Sequence, residues 1–175
     1  MRARLRSQQG FGLIELLIAM VMLNVGILAI VAAFNSGMFA LNRASKISTA
    51  SALADSQMEL YRALTYSAIA LDSTSLGSVD NTYKCDSALG ASCPNSTSGE
   101  QTTTCSGSPL PNECLPSRTA TGADRKSYRV DTYITTTTPT NGRAVKLVTV
   151  VVRDGRNLSG RPLARIASTF DQSTG

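Results

Sequence analysis

Apolar and polar positions along the chain fall into successive regimes. Over residues 16–34 the apolar positions are nearly continuous, with no charge and one strongly polar interruption, Asn24. A run of this length is enough to cross the roughly 30 Å hydrocarbon core of a bilayer as a helix. From Met38 the pattern becomes one-sided. Met38, Leu41, Ala44, Ile47, Ala50, Ala54, Met58, Tyr61 and Leu64 recur every three or four residues, while Asn42, Arg43, Lys46, Ser48, Thr49, Asp55, Glu59 and Arg62 fall largely elsewhere. That spacing predicts an amphipathic helix with one face turned to a core. No proline occurs between Phe11 and Pro94. Nothing therefore forces a break, and the two stretches predict one helix over about residues 11–64, roughly 80 Å long.

Residues 72–126 are rich in Ser, Thr, Gly, Asn and Pro and show no sustained period, so they read as irregular. A connection this long inside a domain calls for a staple or a task. Beyond it lies strand material. Tyr128, Val130, Thr132 and Ile134 alternate with Arg129, Asp131, Tyr133 and Thr135; Thr140-Asn141-Gly142 marks a turn; and residues 145–152 form a β-branched run. These predict a hairpin. After a second turn over 154–160, residues 163–170 supply a third strand with Ile166, Ser168 and Phe170 on one side. The expectation is an antiparallel sheet of three or more strands against the second half of the helix.

Composition narrows the function classes. The chain has 175 residues, no histidine and 5% aromatic residues. The commonest general base and metal ligand is thus missing, and few rings are available to stack on bases. No Gly-x-Ser-x-Gly or phosphate-binding loop occurs, and Glu100 and Glu113 lie in irregular sequence without an evident acid/base partner. The expectation is no enzyme and no cofactor. Cys85, Cys93, Cys105 and Cys114 in an exported chain predict disulfides, the spacing favouring Cys85 with Cys93 and Cys105 with Cys114 among three pairings. Zinc is the alternative, disfavoured by the lack of a Cys-x-x-Cys pair. Two Asn-x-Ser/Thr matches, at Asn95 and Asn157, are too short to carry weight.

Glu15, at the start of the apolar run, is the anomaly. An acid inside a membrane span costs on the order of 2.5–3.5 kcal/mol at the centre and less toward the end, so it asks for a cation. It belongs to the stretch Gly10-Phe11-Gly12-Leu13-Ile14-Glu15, which follows a leader carrying Arg2, Arg4 and Arg6. This stretch resembles the N-terminus of type IV prepilins and type II secretion pseudopilins. The resemblance implies cleavage after Gly10 by a membrane prepilin peptidase, N-methylation of Phe11, and a role for Glu15 in assembly. It also implies the α+β pilin fold, with a long N-terminal α-helix, membrane-embedded in its first half, packed on a C-terminal antiparallel β-sheet. A cut before Phe11 would create an α-amine one helical turn from Glu15, largely cationic at neutral pH. That amine supplies the missing counter-charge, within the chain or, as the family implies, between neighbouring subunits. A secretory signal cut near Val31-Ala32-Ala33 is a competing reading, but its apolar region would be long and Glu15 would have no purpose; a plain single-span anchor is the other.

On this reading residues 1–10 are a leader, 11–37 the membrane and filament-core half of the helix, 38–65 its amphipathic half, and 66–175 a periplasmic or extracellular sheet domain with a disulfide-stapled loop. The leading arginines favour an N-terminus inside and export of the rest, with single-pass anchoring in the cytoplasmic membrane followed by a place in a surface pilus. Partners implied are other pilin subunits, the prepilin peptidase, an inner-membrane assembly platform and the membrane itself. Many major pilins carry a proline in the apolar segment; its absence here favours a minor pilin or pseudopilin. Residues 52–62, with Asp55, Gln57, Met58, Glu59 and Tyr61, resemble PilV-type minor pilins.

Charge is unevenly divided. Residues 66–124 hold six acids and two bases, and residues 125–165 hold nine bases with only Asp131 and Asp154. Without residues 1–10 and their three arginines, the net charge of +5 falls to +2. A basic sheet, through Arg153 and Arg165, could meet an anionic surface such as DNA, as a competence pilin would need. The favoured expectation is instead solvated strand faces that pair with the acidic half of a neighbouring subunit, since no aromatics are interleaved with these bases.

Overall fold

The computed structural model describes residues 12–140 and 142–172. It contains a long helix α1 (Leu13–Arg62), β1 (Leu71–Asp72), two short helices α2 (Ser73–Gly77) and α3 (Asn81–Lys84), β2 (Thr102–Thr103), and strands β3 (Ser117–Thr121), β4 (Ser127–Thr137), β5 (Val145–Asp154) and β6 (Ala164–Asp171). The expected α+β architecture is present: a long N-terminal helix packs on a four-stranded antiparallel sheet of order β3-β4-β5-β6. The chain divides into two compact units at Arg43/Ala44.

In the first unit the helix is apolar all round and every described side chain is exposed, from Leu13 to Leu41. The second unit contains the core. Ala50, Ala54, Met58 and Tyr61 of α1 are buried against Tyr128, Val130 and Ile134 of β4 and Val148, Val150 and Val152 of β5. Small residues at 50 and 54 let the helix backbone approach the sheet. The expected stripe is therefore covered only from Ala50; Met38 and Leu41, which continue it toward the N-terminus, stay exposed. Gln57 is also buried, a position the apolar spacing missed. Its amide donates to Asn112 O at 3.1 Å and its carbonyl accepts from Arg118 Nε at 2.9 Å.

The opposite face of the sheet departs from expectation. Asp131, Tyr133, Thr149, Val151 and Arg153 alternate with the helix-facing residues, yet they are buried too. The irregular stretch lies over them as a second layer. It is not featureless: α2 and α3 are capped by Asp72, which accepts from Ser75 N at 2.8 Å, and Asp80, which accepts from Tyr83 N at 3.0 Å. The sequence reading also missed β3, because Ser117, Arg118, Thr119, Ala120 and Thr121 show no apolar alternation; β4 supplies its ladder partners. Just before β3 begins, Pro116 O accepts from Thr132 N at 2.8 Å, and farther along β4 Gln101 N donates to Ile134 O at 2.7 Å, continuing the edge pairing of that strand.

The few aromatic residues sit where they matter. Tyr61, Tyr83, Tyr128 and Tyr133 are fully buried, and each hydroxyl finds a partner, as a buried phenol requires. Tyr61 donates to Glu113 O at 2.7 Å, Tyr128 to Asp124 Oδ2 at 2.7 Å and Tyr133 to Tyr83 O at 3.2 Å. The rings of Tyr83 and Tyr133 stack at 4.3 Å, clamping α3 to β4.

Candidate functional site

Gly10 and Phe11 lie outside the described residues, as do Arg2, Arg4 and Arg6. Glu15 is described, and stands in the first turn of α1, where backbone N–H groups favour a carboxylate. Its own N–H donates to Gly12 O at 3.0 Å. No lysine or arginine occurs from residue 12 to residue 42, and among the described residues Glu15 makes no ion pair. Asn24 and Asn42 behave differently. Their amides donate to Met20 O and Met38 O, each at 3.0 Å, one turn back. Each asparagine thus satisfies a donor on its own helix, which lowers its cost in lipid; Glu15 lacks that recourse. The helix is long and apolar enough to cross a membrane.

The four cysteines form Cys85–Cys93 and Cys105–Cys114, the pairing that the spacing favours. Both staples lie in the layer over the sheet. Cys85 precedes Asp86, whose buried carboxylate is bonded by Arg153 and by Arg165 Nη2 at 2.5 Å, while its Oδ1 also accepts from Ala88 N at 2.9 Å. The first disulfide therefore closes the loop that carries the counter-ion of two strand arginines. Asp80 is held by Arg129 in a bidentate pair at 2.5 and 2.7 Å, which keeps its carboxyl down at about 2. Arg129 Nε also reaches Asp131 at 2.7 Å.

This network bears on two expectations. Arg129 pairs with Asp80, and Arg153 and Arg165 with Asp86, so part of the acidic and basic segments meet inside one chain. Arg153 and Arg165, named as contacts for an anionic surface, are both committed to Asp86, and Arg153 is only 8% exposed. The signal for this pairing was present in the charge asymmetry, but linear sequence could not say which acid meets which base across 49 to 79 residues.

Glu100 was also undervalued. It is buried, with Oε2 unpartnered and Oε1 2.7 Å from Tyr83 Oη. Burial raises its pKa to about 7, against a smaller opposing pull from Tyr83. Tyr83 Oη lies 2.7 Å from Thr132 O as well. One phenolic proton cannot serve two acceptors. A neutral Glu100 resolves the count by donating to Tyr83 Oη, which then donates to Thr132 O. No sequence signal marks this pair, because the partners are 17 residues apart in a stretch without period.

A wholly exposed apolar helix joined to a disulfide-bearing α+β domain defines a protein whose N-terminal segment is built for apolar surroundings. The family model for the prokaryotic N-terminal methylation motif matches residues 5–33, covering the end of the leader, Gly10, Phe11, Glu15 and most of the exposed helix. That match supports a type IV pilin-like or pseudopilin-like protein, with prepilin peptidase processing and pilin subunits as its general partners. Together with the apolar helix it suggests membrane anchoring and a pilus-related surface location. Among curated proteins and among solved structures, nothing matches the chain.

Proposed function

We propose that this chain is a minor subunit of a type IV pilus, cut after Gly10, N-methylated on Phe11 and assembled through its apolar helix. One observation carries the reading: an apolar helix whose side chains are exposed among the described residues begins with a lone carboxylate, one turn after the residue that cleavage would make cationic. In a bilayer the helix is at home; in a filament, other subunits replace lipid around it. The Phe11 amine of an incoming subunit pairs with Glu15 of its neighbour and sets their axial register. The chain is the substrate of a processing enzyme and does no chemistry of its own. The missing proline in the apolar helix and the likeness of residues 52–62 to PilV-type minor pilins support the minor role.

A type II secretion pseudopilin is the second reading, favoured by the same motif and the same missing proline. For the DNA-binding alternative, Arg153 is buried and both Arg153 and Arg165 pair with Asp86, which makes these two arginines poorer phosphate contacts. Deleting the chain should abolish or sharply reduce surface pili and twitching while leaving enzyme secretion intact; the converse outcome assigns it to secretion. Glu15→Ala should still insert in the membrane but enter sheared filaments at a tenth or less of the normal level, an effect of about 1.4 kcal/mol or more per docking event. Unchanged incorporation would end the electrostatic docking idea.

A further inference from the structure

The turns at one end of the sheet gather basic residues that the ion-pair network leaves over. Gly155 N donates to Ser127 O at 3.0 Å, tying the β5–β6 turn to the β3–β4 turn. Lys46 Nζ bonds Asp154 Oδ2 at 2.6 Å, and Gly122 abuts Thr49, so closely that an added Cβ would lie 2.4 Å from Thr49 Cγ2. Both turns therefore sit beside the point where the chain enters this domain. They carry Arg125, Lys126, Arg156 and Arg161, with Lys46 beside them. The two acids here are already engaged, Asp154 by Lys46 and Asp124 by Lys126 and Tyr128. Arg125, Arg156 and Arg161 are exposed and make no ion pair among the described residues. Arg125 is held at the turn tip with φ 59°.

We propose that this end of the domain is a docking surface for an anionic bilayer, with Arg125, Arg156 and Arg161 seated on lipid phosphates. Chain connectivity selects the partner. Lys46 follows residue 37, the end of the expected membrane half of the helix, by nine positions, a reach of at most about 32 Å even if fully extended. A basic surface tethered that close to a membrane segment meets headgroups before any other anion. Each arginine at such a surface strengthens attachment about fivefold. The three are remote in sequence from the apolar run, so counting charges in its flanks does not find them. The proposal rests on the helix being embedded in a bilayer and is independent of the minor-pilin reading.

The full chain reconstituted in nanodiscs tests it. The sequence contains no tryptophan, so Ser159→Trp, at an exposed position in the β5–β6 turn, gives a single fluorescent reporter. Headgroup-nitroxide lipid should quench it about twofold more in discs with about 30 mol% phosphatidylglycerol than in phosphatidylcholine alone. The excess should vanish in about 0.5 M salt, and in the variant combining Arg125→Gln, Arg156→Gln and Arg161→Gln with an unchanged Tm. Equal quenching in both discs, or an excess that survives salt or the triple variant, overturns the surface. Failure of the chain to co-purify with either disc refutes the embedding itself, and the proposal with it.

Discussion

Glu100 shows how one buried carboxyl couples this domain to pH. Unfolded, it ionises near its ordinary value of 4.5; folded, it does so at about 7. Below pH 4.5 both states carry the proton and Glu100 imposes no penalty on folding. Between 4.5 and 7 the folded state keeps a proton the unfolded state has lost, so stability falls with rising pH, by roughly 3 kcal/mol in total, and levels off above 7. Asp80 acts in the opposite sense and in a separate window. Its carboxyl lies at about 2 when folded, against an ordinary 3.8, so its contribution is lost as pH falls through that range. Glu100→Gln keeps a neutral donor beside Tyr83 and should flatten the fall: urea midpoints measured from pH 5 to pH 8 should decline in the parent and stay nearly level in the variant. Equal declines would remove Glu100 as the cause.

At the scale of elements, the layer made by residues 72–116 is held on the sheet by charge as well as by disulfides and aromatic contact. Asp86 and Asp80 hold it differently. The Asp86 side chain is 1% exposed and its removal leaves buried Arg153 only Asp131, at 3.8 Å, as a counter-charge, so Asp86→Ala should cost about 3 kcal/mol. The Asp80 side chain is 51% exposed, and Asp80→Ala gives up an outer ion pair and an N-cap, about 1 kcal/mol. Chemical denaturation of the two variants under oxidising conditions compares them; similar losses would contradict the network described here. These elements also show what sequence could and could not reveal. The helix, the hairpin and β6 were legible because their apolar residues recur at periods of 3.6 or 2 over many positions. β3 was not, since its partner strand and not its own pattern makes it a strand. The second layer was illegible for a related reason. Asp80, Asp86 and Glu100 do their work through partners far along the chain, and a buried carboxylate looks like a surface one until its arginine or tyrosine is known. The disulfide pairing could be favoured on short spacing, but the role of Cys85 in presenting Asp86 could not.

At the scale of the molecule, the chain encloses one part of itself and leaves the other open. The domain from Ala44 onward encloses a core of buried valines, tyrosines and small helix residues, with its buried charges paired internally. The helix before it has no core of its own: its large apolar side chains from Leu13 to Leu41 are exposed to a degree that water does not tolerate over so long a run. Such a segment must be covered by lipid or by other helices, and the methylation motif over residues 5–33 supports a pilin-like way of doing so. The motif itself was legible in sequence, because a lone acid at the head of an apolar run stands out. The central claim is that Glu15 acquires its cation by cleavage before Phe11. Mass spectrometry of the N-terminal peptide, from protein recovered in membranes or sheared filaments, tests it most directly. The account predicts a chain that begins with N-methylated Phe11; an intact Met1, or a start near Phe34, would contradict it.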